Sequence, residues 1–152
     1  MPVIESSIEI AASPADVYRA AQDIEGLAAW IEALESITID ERSERPAGPE
    51  TVSTWVALVP EFNRKLTWTE RDLWDDERLV CEFSLVQGDL DRYDGLWTFE
   101  LLDDGGCRSA LHIDYALEIP LIGPLIKGLV HKKMQAASDA VLEGLKRRAE
   151  AG

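Results

Sequence analysis

The stretch YDGLWTFELLDDGGCRSALHIDYALEIPLIGPLIKGLVHKKMQAASDAVLEGLKRR, Tyr93–Arg148, decides the architecture. It predicts strands over Tyr93–Leu102 and Ala110–Glu118, a Pro/Gly break from Pro120 to Pro124, and one long helix ending near Arg148. Asp103-Asp104-Gly105-Gly106 is a strong hairpin signal between the two strands. In the helix, Ile122, Ile126, Leu129, Val130, Met134, Ala137, Val141 and Leu145 recur at helical spacing. At 1.5 Å per residue, a helix of about 25 residues reaches nearly 40 Å, long enough to cross a whole sheet. In the first strand Tyr93, Gly95, Trp97, Phe99 and Leu101 share one face, with Arg92, Asp94, Thr98 and Glu100 opposite.

Working outward, Val3–Ile10 reads as a strand. Ser13 then caps a helix that opens on Pro14 and carries Asp16 in its first turn. That helix runs to about Ala21, and Asp23 caps a second short one, Ile24–Ala33, bent near Gly26, with Leu27, Trp30 and Ile31 on one face. Four more strands follow at Leu34–Glu44, Thr51–Leu58, Arg64–Trp74 and Leu79–Val86; the last pair reads as Leu90–Leu102 and Arg108–Glu118. Pro46–Pro49, Pro60–Asn63 and Asp75–Glu77 separate them. Sequential strands joined by short turns pair antiparallel. The expectation is an α+β domain over 1–152. A seven-stranded antiparallel sheet wraps a long C-terminal helix, with two short helices after the first strand. Such an arrangement leaves a pocket between sheet and helix.

The composition narrows the function. The formal net charge is −14, which argues against nucleic acid as a partner, since phosphate binding needs Lys and Arg to displace counterions. Residues 122–152 hold six Lys/Arg against three acids, +3, so the remainder carries −17. The cations gather near the helix C-terminus, where the dipole favours them. No apolar run is long enough for a transmembrane segment, and the first residues lack the basic and apolar regions of a signal peptide. Cys81 and Cys107 fall on strands in step with apolar neighbours and read as buried free thiols in a cytoplasmic protein. Two histidines and no clustered cysteines predict no metal site. His112 lies on a polar face and His131 beside the apolar stripe. There is no phosphate loop, nucleophile elbow or serine-triad signature, so neither a cofactor nor covalent catalysis is expected.

The order of elements resembles the helix-grip fold of the START-like (SRPBCC) superfamily, in particular its polyketide cyclase/dehydrase-like group. The residues that carry the resemblance are IEIAASPADVYRAAQDIEGLAAWI (Ile8–Ile31), RKLTWTERDLWDDERL (Arg64–Leu79), GDLDRYDGLWTFELLDDGG (Gly88–Gly106) and the entry to the closing helix, PLIGPLIKGLV. The resemblance implies a cavity for an apolar or aromatic molecule of polyketide, lipid or quinone type. It leaves polyketide cyclase/aromatase activity open beside two rivals: a non-catalytic lipid or quinone carrier or chaperone, and a ribosome-associated, toxin-like regulator.

In the aromatase/cyclases an arginine of the "TWTER" strand points into the cavity, and Arg71 matches it; there it would stabilise a developing enolate. Alternation alone leaves open which face of Arg64–Trp74 is inside, that of Thr67, Thr69, Arg71 and Leu73 or that of Leu66, Trp68, Glu70 and Asp72. The resemblance also puts Trp97 in the cavity wall, and Gly95 leaves room beside it for a ligand or a close helix. The candidate ligand contacts are Trp30, Trp55, Trp68, Phe83, Tyr93, Trp97, Leu129 and Met134, with Arg71 as the candidate catalytic group.

Overall fold

A computed structural model of the chain describes residues 2–32, 34–60, 63–117 and 124–151. The elements run β1 (Val3–Ile10), α1 (Pro14–Ala21), α2 (Ile24–Leu27), a 3-10 turn (Ala28–Trp30), β2 (Leu34–Arg45), β3 (Gly48–Val59), β4 (Arg64–Asp75), β5 (Val80–Gly88), β6 (Arg92–Leu101), β7 (Cys107–Ala116) and α3 (Pro124–Ala151). Seven antiparallel strands form one sheet in the order β1-β7-β6-β5-β4-β3-β2. It is an open sheet and not a closed barrel, and it carries the expected helix-grip arrangement. Glu118 and Ile122 lie outside the described residues.

Local chemistry sets the boundaries. The Ser13 side chain accepts from the Asp16 N–H, and Pro14 occupies the first helical position. Asp23 caps α2 by accepting from Gly26 N–H at 3.4 Å. The second helix is shorter than its sequence suggests: it changes to a 3-10 turn at Ala28. That tighter winding carries Trp30 off the buried face of Leu27 and Ile31. Between β2 and β3 the hairpin is two residues long, pairing Arg45 with Gly48. Gly48 sits at φ +154°, where a side chain would meet the Trp74 carbonyl at 2.5 Å; β3 therefore starts three residues before the expected Thr51.

The helix α3 lies across the sheet and packs most tightly in its second half. Val141, Leu142 and Leu145 join Ile4, Ile10, Val17 and Ala21 in the core, whereas Leu125 near the start is exposed. Along the β1 edge α3 supplies polar donors. Gln135 Nε2 donates to the Glu5 carbonyl at 3.1 Å and Lys146 Nζ to the Glu9 carbonyl at 2.9 Å. Glu150 accepts from the Ala11 N–H at 2.9 Å. At the start of α3, Tyr115 of β7 shares a 2.7 Å hydrogen bond with His131 Nδ1 and stacks on its ring. His112 stands at the surface, facing Glu5 and Asp114. Cys81 and Cys107 are free and buried, as their alternation predicts.

Candidate functional site

The concave face of the sheet is built by simple alternation. On β4 the buried positions are Leu66, Trp68, Glu70, Asp72 and Trp74. On β5 they include Cys81 and Phe83, on β6 Tyr93, Trp97 and Phe99, and on β7 Leu111, Ile113 and Tyr115. All of these except Leu66, Phe99 and Tyr115, with Ile24, Ile31 and the α3 residues Met134, Ala137, Ser138 and Val141, line a chamber of about 90 Å³. A second chamber of about 60 Å³ lies beside it, toward Val130 and Leu90, and shares Leu34, Trp68, Met134 and Ala137 with the first. Ile31 and Ala137 also line an outer groove that holds Trp30, Leu58 and Lys133.

Aromatic rings make most of the wall. Trp55 stacks on Trp68 at 5.8 Å, Trp68 meets Tyr93 at 5.4 Å, and Tyr93 meets Phe83 at 5.6 Å. Trp97 stands 5.9 Å from Trp74 and gives its indole N–H to Ser109 at 2.8 Å. Trp55 likewise donates to Ser53 at 3.0 Å. These bonds satisfy the indole nitrogens of Trp55 and Trp97 within the protein, so both rings present apolar surface to the chamber.

The polar exceptions are few. Glu70 and Asp72 both line the chamber, with 4% and 3% of their surface exposed. Trp68 Nε1 donates to Glu70 at 3.1 Å, and Thr51 Oγ1 donates to Asp72 Oδ2 at 3.4 Å. Asp72 Oδ1 is buried and accepts from no fixed donor, whereas a proton on Glu70 provides one through the bond between the two carboxyls. Burial, then the charge of Asp72, pushes the Glu70 carboxyl well above its ordinary range; burial also raises Asp72. Burial and the charges of the same pair keep the Tyr93 hydroxyl protonated, and they raise the Cys81 thiol, which is therefore a poor nucleophile. On the helix side the Ser138 hydroxyl is buried without a partner.

Among the residues expected from sequence, the structure brings Trp55, Trp68, Phe83, Tyr93, Trp97 and Met134 together around the main chamber. Leu129 is half-buried and lines neither chamber. Trp30 is 42% exposed and sits in the outer groove, under the Arg147 guanidinium at 5.2 Å. Arg71 requires a correction: it projects from the outer face, where it pairs with Glu50 at 3.3 Å. The physical reason is that β4 turns its indole rings and carboxyls inward, so the charged side chain between Glu70 and Asp72 must point to solvent. Gly95 also differs from expectation. A side chain there would meet the Phe83 ring at 2.6 Å and the His112 carbonyl, so the space belongs to Phe83 and not to a ligand or helix. The residues missed were Glu70, Asp72, Trp74 and Ser138. The first three shared the alternation of Trp68, and that face, though apolar at Leu66 and Trp68, carried two acids.

The sequence matches the family model described as polyketide cyclase / dehydrase and lipid transport over residues 1–150. The chain belongs to this family. Several solved structures share the fold of this polyketide cyclase/dehydrase family protein. A protein from Thermus thermophilus, TTHA0849, is 38% identical with a TM-score of 0.85, over 99% of this chain and 98% of that one. The Zhui aromatase/cyclase from a Streptomyces species is 21% identical with a TM-score of 0.75, over 99% and 96%. A START superfamily protein from Mycobacterium smegmatis is 15% identical with a TM-score of 0.71, over 96% and 98%. The last two likenesses establish the fold alone. No curated protein matches the sequence. Family membership supports hydrophobic small-molecule binding in general, and among the described residues no helix is long and apolar enough to cross a membrane.

Proposed function

We propose that the chain binds a compact, flat, largely apolar aromatic molecule in the main chamber. The observation that carries this is one pocket walled by indole, phenol and phenyl rings, with its few polar groups contributed by β4 and α3. Flat rings stack on flat rings, and polar groups in an apolar wall orient what lies between them. Specific small-molecule pockets occupy roughly 300–1,000 Å³, so a ligand of several fused rings must press Met134 aside and join the two chambers. A long acyl chain fits this interior less well than a compact ring system. Native mass spectrometry of the purified protein, followed by extraction, tests the proposal. An aromatic molecule released from the wild type and absent from Met134→Trp supports it; an acyl lipid, or the same molecule retained by Met134→Trp, refutes it.

Glu70 and Asp72 favour a second reading, non-covalent acid–base catalysis. A paired acid and base can remove water from a β-hydroxy ketone. Asp72 takes the proton α to the carbonyl, Glu70 protonates the departing hydroxyl, and one proton passing between the two carboxyls restores them. In that case Glu70→Gln retains ligand and loses turnover. In a carrier the same change leaves no reaction to lose.

A further inference from the structure

The buried carboxyl pair lacks a cation. Glu70 and Asp72 are both buried in the chamber wall, yet no Lys, Arg or His lines the main chamber among the described residues, and Lys133 belongs to the second chamber. Trp68 of β4 and Thr51 of β3 bond the pair, and Cys81 of β5, Tyr93 of β6 and Ser138 of α3 line the chamber with it. None of them carries positive charge. Arg45 of β2 gives its guanidinium to the Trp74 carbonyl at 2.7 Å and stands 3.7 Å from Glu50. Arg71 lies beyond the sheet. Buried charges in folded proteins are paired or coordinated, because an isolated one is costly.

Two further observations point to an occupant. Ser138 Oγ, on a residue 4% exposed, is buried without a partner, and Asp72 Oδ1, on a residue 3% exposed, has no donor besides the neighbouring Glu70 carboxyl. They belong to opposite walls of the same chamber, one on the sheet and one on the helix. The rings of Trp68, Tyr93 and Trp97 stand in the wall with them, and aromatic faces attract cations. Two carboxylates and a hydroxyl do not make a metal set, and no group of three His, Cys, Asp or Glu gathers among the described residues.

We infer that the chamber selects an aromatic ligand bearing one protonated nitrogen, an aryl-alkyl amine or protonated N-heterocycle, whose N–H groups bond Asp72 and Ser138 while its ring lies among the indoles. This deepens the binding proposal above and rests on it. The cation meets a buried carboxyl pair that no basic side chain of the main chamber faces, and a neutral isostere of the same shape brings no such charge. A buried, hydrogen-bonded charge pair contributes more than a neutral contact.

Benzylamine, protonated at pH 7, and benzyl alcohol form a matched pair of probes, and 1-naphthol serves as a neutral aromatic reference. Calorimetry or tryptophan fluorescence on the wild type should show benzylamine binding at least about tenfold tighter than benzyl alcohol, a difference of about 1.4 kcal/mol. Asp72→Asn should reduce that preference to less than about threefold. The wild-type comparison needs no variant, and Ser138→Ala, which trims one partner, gives a second test should Asp72→Asn not fold. Benzyl alcohol binding as tightly as benzylamine, or a preference that survives loss of Asp72, overturns the charge inference. If 1-naphthol binds and benzylamine does not, the inference fails while the binding proposal stands. If none of the three binds, both fall.

Discussion

The indole of Trp30 occupies the place where residue 144 would carry its Cβ. A methyl group on Gly144 would lie 2.6 Å from Trp30 Cγ and 2.8 Å from its Cβ. The short helical segment after α1 is therefore docked on α3 by a glycine, with Arg147 over the outer ring face and Arg148 donating to the Asp23 carbonyl at 2.9 Å.

That contact reverses a simple rule. Gly→Ala in a helix interior ordinarily stabilises by about 1 kcal/mol. Gly144→Ala should instead lower stability by about 1 kcal/mol, because overpacking costs about 1–3 kcal/mol and the near atoms belong to the root of the Trp30 side chain. Thermal melting and the emission maximum of Trp30, isolated in a background with the other tryptophans replaced by Phe, would check it. A raised melting temperature would show that the segment swings away freely.

The carboxyl pair predicts an uncommon pH dependence. Glu70 is raised above its ordinary 4.5, so the folded state holds a proton that the unfolded chain has released. Stability is then greatest below that value and falls as pH rises toward the folded-state pKa, with a slope of up to about 1.4 kcal/mol per pH unit. Asp72 is raised as well and acts in the same sense. Denaturation of wild type and Glu70→Gln between pH 5 and 8 should show the variant gaining relative stability as pH rises. Parallel curves would mean that Glu70 binds the same number of protons in the folded and unfolded states across this window, and so is not raised.

Ser138→Ala should stabilise the unliganded protein by about 1 kcal/mol, since it removes a buried hydroxyl without a partner and improves helix propensity. Its urea midpoint should rise with an unchanged m-value. A lower midpoint would mean that the hydroxyl is already satisfied.

Arg71→Ala should do little. An exposed ion pair contributes about 0–1 kcal/mol, and Arg45 remains beside Glu50 when Arg71 is lost. Melting temperature and 1-naphthol affinity should both match the wild type. A large loss of affinity would require the side chain to reach the chamber by some route through the sheet.

The fold was legible because its signals are local and agree with one another. Ser13-Pro14, the Asp-Asp-Gly-Gly hairpin and the alternation of Tyr93, Trp97 and Phe99 each specify a short piece of backbone, and their order specifies the sheet. The cavity was legible in part, through rings too large to sit anywhere but inside. What stayed hidden was the sense of β4. Its two faces each mix apolar and charged residues, and alternation says which residues travel together without saying which way they look. A carboxyl buried against another carboxyl contradicts the general preference for exposed acids, and tertiary packing of Trp68 and Trp74 decided the matter. Trp30 was misplaced for a smaller reason, a change of helical pitch that no residue in Ala28-Ala29-Trp30 announces.

An open sheet has two borders, and this one protects them by different means. The β1 border is sealed by the side chains of α3, so its free carbonyls at Glu5 and Glu9 are already engaged. On the β2 border the outer half, Asp40-Glu41-Arg42-Ser43-Glu44, is instead exposed throughout. Four charges in five residues make that ladder of unpaired amides a poor template for a strand from another molecule. The guard against edge-to-edge pairing thus lies in a segment that lines neither chamber.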